Sequence, residues 1–66
     1  MTIKIRTGNA AFHAGPEATH YEEDQAMAAE LRRIFGKICD DIEQHGATMG
    51  SVMDINGNRV GEWTLD

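Results

Sequence analysis

A stripe of large apolar residues in the middle of this 66-residue chain limits the folds open to it. Its members recur every three or four positions, as one face of an α-helix requires. They are Met27, Leu31, Ile34, Ile38 and Ile42. A helix with one apolar face is stable only when that face packs on another layer. We therefore expect one long amphipathic helix lying across a sheet built from the rest of the chain.

Both ends of this helix are marked by capping residues. Thr19 and Glu22 have the spacing of a capping box, in which the Thr hydroxyl and the Glu carboxylate each bind a free backbone N–H. His45 followed by Gly46 is typical of a helix C-terminus. The sequence therefore predicts a helix from Thr19 to His45. Cys39, next to Ile38, is expected to be half-buried and structural.

The segment before the helix predicts one strand. Residues Thr2–Arg6 alternate β-branched or apolar side chains with cationic ones, which places Ile3 and Ile5 on the buried face. The following Ala11 and Phe12 either extend the sheet or anchor the helix.

The segment after the helix predicts a β-hairpin. Asn56-Gly57 suits a two-residue type I′ turn between strands Val52–Ile55 and Asn58–Val60. This loop would oppose Asp54 to Arg59 as a cross-strand ion pair. The residues expected on the buried face of the hairpin are Met53, Ile55 and Val60. A bulge at Gly61 is then needed to turn Trp63 and Leu65 towards the helix.

Together these elements predict an α+β fold of the type β-α-β-β. An antiparallel sheet with strand order 1-3-2 avoids a parallel strand pair and leaves one face for the helix. Residues 1–66 are expected to form a single small domain, since so short a chain has room for one core.

Composition and charge exclude several functions. The chain has 11 acidic and 6 Lys or Arg residues, a formal net charge of -5, which disfavours direct binding to nucleic acid or anionic membranes. No apolar run is long enough for a signal peptide or membrane helix, so a cytoplasmic protein is expected. The single Cys cannot form an internal disulfide.

No residue pattern predicts catalysis, a metal or a cofactor. His13, His20 and His45 are too far apart along the predicted helix and loop to converge, and no metal-ligand spacing is present. His20 and His45 are on the wrong helical turns to activate Cys39, which leaves His13 in the loop as the remaining alternative. We therefore expect a protein that is not an enzyme and binds no cofactor.

The carboxylates are the remaining feature with functional content. Glu30 is placed on the exposed arc of the helix, and Lys37–Asp41 and Glu30–Arg33 are expected to form intrahelical pairs. The candidate partner-binding residues are Glu22, Glu23, Asp40, Asp41 and Glu43. They predict a protein partner with a basic nucleic-acid-binding surface. The alternative is a solvated acidic face without a partner.

Two segments carry a resemblance to known proteins. Lys4–Phe12 and Asp54–Trp63 look like the two ends of small phage or prophage proteins that bracket a variable helix. In size, acidity and phage-like character the chain also resembles the anti-CRISPR inhibitors, some of which block DNA entry to a CRISPR effector. No functional residue is carried over from this resemblance.

The resemblance implies a phage-type inhibitor that covers a basic DNA-binding site of a CRISPR effector or another nucleic-acid-binding complex. The alternative is a small phage structural or regulatory module that binds through an apolar sheet face or an edge strand, with a homodimer as one form. The sequence favours a monomer over a dimer.

Overall fold

The helix and the three strands follow one another in the predicted order. A computed structural model describes residues 1–66, with β1 at Thr2–Ile5, α1 at His20–His45, β2 at Met49–Met53 and β3 at Arg59–Thr64. Both strand pairings are antiparallel and the order is β1-β3-β2, which confirms the α+β prediction. No helix of the structure combines the length and the apolar character needed to cross a membrane.

The predicted capping residues define the ends of α1. The side chain of Thr19 accepts a hydrogen bond from the backbone N–H of Glu22 at 3.2 Å, and the Glu22 carboxylate accepts one from the N–H of Thr19. At the other end, Gly46 adopts the left-handed conformation and its N–H bonds back to the carbonyl of Ile42. The helix therefore has the predicted bounds.

The core lies between α1 and the inner face of the sheet. Trp63, in the central strand, is opposite Ile3 of β1 on one side and Gly50 of β2 on the other. The stripe of α1 packs on this row, and Leu31 and Ile38 share one interior with Trp63. The buried core residues are Phe12, Ile34, Ile38, Val52, Val60 and Trp63.

Phe12 anchors the helix rather than extending the sheet. A single 3-10 turn at Ala10–Phe12 follows β1 and packs against α1. This turn brings the Phe12 ring into the core, where it is fully buried. The second of the two alternatives for this segment is therefore the one adopted.

The predicted bulge next to Gly61 brings Trp63 inside. Val52 pairs with Gly61 and Met53 with Arg59, so Val60 is an extra residue in β3. Val60 and Trp63 are consequently both buried, as predicted. A Cβ at Gly61 would collide with the backbone carbonyl of Lys4, so β1 can approach β3 here only because residue 61 is glycine.

The hairpin turn differs from the prediction by one residue. The N–H of Asp54 bonds to the carbonyl of Asn58 and the N–H of Gly57 bonds to the carbonyl of Asp54, at 2.9 and 3.0 Å. A type I′ turn needs a positive φ at both of its central residues, but in this hairpin only Gly57 has one. The hairpin therefore has a three-residue loop instead of a two-residue type I′ turn. A shift of one residue in the pairing register moves every side chain of a strand to the opposite face of the sheet.

Three predictions for the hairpin are wrong for this reason. Asp54 is buried, whereas Ile55 is 66% exposed and Met53 lies on the outer face. The predicted ion pair with Arg59 is absent, and Arg59 instead contacts Glu62 at 3.1 Å.

Two other residues are more exposed than predicted. Leu65 lies beyond the end of β3 and is largely outside the core. Cys39 is exposed, because one position past Ile38 is a rotation of about 100° away from the buried face.

Replacing Phe12 by Ala should lower the free energy of unfolding by about 3–5 kcal/mol, because the ring fills the end of the core. Urea denaturation followed by circular dichroism measures this loss. Phe35, which is 43% exposed on α1, provides the matched control. Phe35→Ala should cost under about 1 kcal/mol. Equal losses in the two variants would contradict the anchoring role of Phe12.

Candidate interaction surface

The five predicted partner-binding residues lie in two groups at opposite ends of α1. Glu22 and Glu23 are in its first turn, and Asp40, Asp41 and Glu43 are near its last turn. Glu22 and Asp40 are five turns apart, which corresponds to about 27 Å along the axis. The helix thus carries an amino-terminal and a carboxy-terminal acidic group, which do not form one continuous site.

Both carboxylates of the amino-terminal group are held by contacts within the chain. Glu22 accepts hydrogen bonds from the N–H and the hydroxyl of Thr19 as part of the cap. Glu23 accepts one from the backbone N–H of Ala14 at 3.0 Å and contacts His13 with its other oxygen. These contacts therefore hold the loop that precedes α1 against the first turn of the helix.

His13 is placed between two acceptors. Its Nδ1 is 2.9 Å from a Glu23 carboxylate oxygen and its Nε2 is 2.8 Å from the carbonyl oxygen of Thr7. Only the imidazolium form donates from both ring nitrogens. The hydrogen bond to Glu23, followed by that to Thr7, raises the pKa of His13 above its ordinary value of 6.5. The same contact with His13 lowers the pKa of Glu23.

The carboxy-terminal group contains two unpaired carboxylates. The predicted pair of Lys37 with Asp41 is present at 2.7 Å, and its hydrogen bond raises the pKa of Lys37. Asp40 and Glu43 are both exposed, and neither forms a salt bridge or a side-chain hydrogen bond. Of the five predicted residues, these two are the ones whose carboxylates are fully available to a partner.

Glu43 occupies an electrostatically unfavourable position. The last turn of a helix presents unpaired carbonyls, and a carboxylate there is disfavoured by about 0.3–1 kcal/mol. His45 is the basic residue of that turn, and it forms no hydrogen bond or salt bridge with Glu43. A residue placed against local electrostatics without a compensating contact is a candidate for a functional role.

Glu30 was predicted on the exposed arc, and this is wrong. Its side chain is 6% exposed, and its carboxylate binds Arg33 in the predicted pair at 2.7 Å. The backbone N–H of Ile55 donates to the same carboxylate at 3.0 Å, while Arg33 reaches the carbonyl of Met53 at 2.7 Å. The hairpin tip therefore folds back onto the middle of α1 and covers Glu30.

Asp54 holds the loop of the hairpin together and connects it to the segment that follows β1. Its Oδ1 accepts hydrogen bonds from the backbone N–H groups of Asn56 and Asn58, both at 2.9 Å, and its Oδ2 from the side chain of Asn9 at 2.7 Å. These bonds, led by that from the Asn58 backbone, lower the pKa of Asp54. The segment Asp54–Asn58 has Asp and Asn at positions where side chains bind the backbone of a turn, which is the sequence signal for this role of Asp54.

The fold assembles neither a cluster of metal ligands nor a Cys–His pair. No group of three or more His, Cys, Asp or Glu side chains is arranged to hold a metal ion. His13 contacts Glu23 and Thr7, and Cys39 has no His among its hydrogen-bond partners.

The chain matches no known family model, and no curated protein or solved structure shows significant similarity to it.

The contact of His13 with Glu23 should make stability depend on pH near neutrality. Because the pKa of His13 is raised on folding, its contribution is complete below pH 6.5 and is lost as pH rises through the raised value. The difference in thermal midpoint between the wild type and His13→Ala should therefore be largest below pH 6.5 and shrink as pH rises above that value. Phe35→Ala, which removes no ionisable group, is the control and should give a difference that stays constant with pH. A constant difference for His13→Ala would contradict the proposed protonation.

Proposed function

We propose that the protein is a non-enzymatic inhibitor of phage type. It acts in the host cytoplasm and covers a basic DNA-binding site of a CRISPR effector or of another nucleic-acid-binding complex. The observation that carries the proposal is the exposed, unpaired state of Asp40 and Glu43 at the carboxy-terminal end of α1. The resemblance to acidic anti-CRISPR proteins supplies the class of partner.

The distribution of charge supports contact through this end of the helix. Along the middle of α1, Arg32 is exposed, and Glu30 is buried and paired with Arg33. The middle of the outward face therefore carries little net negative charge. Asp40 and Glu43 are separated by one turn on the same side of the helix, a spacing that allows both to reach a row of Lys or Arg side chains.

The proposed mechanism is competition. A chain with a net charge of -5 is attracted to the basic groove that normally holds DNA, and the attraction accelerates encounter. Unpaired carboxylates then occupy positions at which the groove binds phosphates. The helix, which is about 39 Å long at 1.5 Å per residue, presents them on a rigid rod, so little conformational freedom is lost on binding.

Reversing the two free charges should remove inhibition without unfolding the protein. Asp40→Lys with Glu43→Lys should weaken binding to the effector by about tenfold or more. The thermal midpoint should hold or rise, because Lys suits the last turn of a helix. Inhibition of DNA binding and calorimetry measure the two effects.

A variant with the same change in net charge elsewhere is the matched control. Glu17→Lys with Asp66→Lys alters two exposed residues outside the helix. If this variant loses as much inhibition as the helix variant, the effect comes from net charge and the proposed contact is wrong. Unchanged inhibition in the helix variant would reject it as well.

Salt gives a second test of the same proposal. Association driven by opposite charges weakens as the Debye length falls from about 10 Å at 0.1 M salt to about 3 Å at 1 M. Titration calorimetry at increasing salt should therefore show a rising dissociation constant. A constant value would show that apolar contacts dominate binding.

The alternative function requires an apolar sheet face or an edge strand. The outer face of the sheet is mainly polar, because Lys4 and Glu62 lie opposite one another at its centre. Met49 and Met53 are its large apolar residues, and both belong to β2. Apolar contact on the sheet is thus confined to this one edge.

A further inference from the structure

The strand order leaves β2 with a free edge whose direction is fixed by its hydrogen bonds. Just before β2, the carbonyl of Thr48 accepts from Leu65 at 2.8 Å, and just after it the N–H of Asp54 donates to Asn58. Both groups point towards the β3 side. Since residues alternate along a strand, the backbone groups of Met49, Ser51 and Met53 point away from β3.

This edge lacks the features that normally prevent strand pairing. β2 consists of Met, Gly, Ser, Val and Met, and contains neither a charged residue nor a proline. The other edge strand, β1, contains Lys4 and is followed by Arg6. Charged residues, prolines and bulges are the usual protection of a free strand edge. The two edges of this sheet therefore differ in their capacity to add a strand.

The helix leaves the β2 edge largely uncovered. A groove of about 120 Å³ runs between α1 and β2, with Ile34 and Ile38 on one wall and Val52 on the other. A side chain of α1 reaches the free edge of β2 at one point, where Arg33 donates a hydrogen bond to the carbonyl of Met53. The N–H and C=O of Ser51 and the N–H of Met53 remain free for another strand.

We propose that β2 pairs with β2 of a second copy of this chain, antiparallel and around a two-fold axis at Ser51. This register joins the two Ser51 residues as a hydrogen-bonded pair and sets Met49 of each copy beside Met53 of the other. The two Met side chains are 67% and 44% exposed in one chain. Their equal distance from Ser51 on the outer face makes the edge self-complementary, which favours a second copy over an unrelated peptide.

The charges of the chain permit this pairing, and its dependence on salt distinguishes it from the proposed inhibition. The carboxylate nearest the groove, Asp41, is already neutralised by Lys37. Repulsion between two chains of charge -5 is screened by salt, so the dimer should tighten as salt rises. Binding to a basic partner should weaken under the same conditions. The proposed dimer differs from the monomer expected from the sequence, and it does not depend on the proposed function.

Sedimentation equilibrium tests the dimer. With increasing concentration, the mass should rise from 7.3 kDa towards twice that value. Met53→Lys should keep the protein monomeric at all these concentrations. Ile55→Lys makes the same kind of change at an exposed residue beyond β2, and it should dimerise as the wild type does. Equal behaviour of the two variants would overturn the proposal.

Cross-linking tests the register. The Cα atoms of a hydrogen-bonded antiparallel pair are about 5.5 Å apart, within the range that a disulfide spans. In a Cys39→Ser background, Ser51→Cys should therefore form a covalent dimer under mild oxidation. Lys4→Cys, in the other edge strand, should remain monomeric. Failure of Ser51→Cys to cross-link while the protein stays folded by circular dichroism would exclude this register.

The test also identifies a different occupant of the edge. If the wild type is monomeric at every concentration, the second copy is ruled out. If Met53→Lys nevertheless reduces inhibition of DNA binding, the edge accepts an extended segment of the partner. In that case the proposed function would stand and the dimer would be wrong.

Discussion

The burial of Trp63 between the central strand and the helix is the contact on which the other elements depend. It requires the extra residue at Val60, because strict alternation along β3 would turn the indole outward. It also requires β1 to lie against β3, and the absence of a side chain at Gly61 allows this. With these two conditions met, one helix covers three short strands, and Phe12 closes the end of the core.

Polar contacts then fix the hairpin relative to the helix. Glu30 receives the backbone N–H of Ile55, and Arg33 binds the carbonyl of Met53. Buried polar groups without partners are costly, so this arrangement is sensitive to the length of the turn. The attachment has a further effect on charge. It removes Glu30 from the outward surface and leaves Asp24 at one end of the helix, and Asp40 and Glu43 at the other, as its unpaired carboxylates.

The sequence predicted what depends on local periodicity and capping. The helix from Thr19 and the buried Trp63 follow from residues close together in the chain, and the strand order follows from the avoidance of a parallel strand pair. Errors arose where a distant contact decides the outcome. Asn56-Gly57 is compatible with two loop lengths, and the side chain of Asn9 helps to stabilise the longer loop through Asp54. Partner binding by the acidic residues was predicted from their type alone, and ion pairs or hydrogen bonds to other parts of the chain, as for Glu23, determine which are free.

The two chromophores of the chain occupy opposite environments. Trp63 is the single tryptophan and is enclosed beneath the helix, whereas Tyr21, the single tyrosine, is largely exposed at the other end of the molecule from Gly46. Indole fluorescence therefore reports the integrity of the interior, and phenol absorbance reports the surroundings of the first helical turn. An optical signal can thus distinguish melting of the interior from a change at the amino-terminal end of the helix in an unlabelled sample.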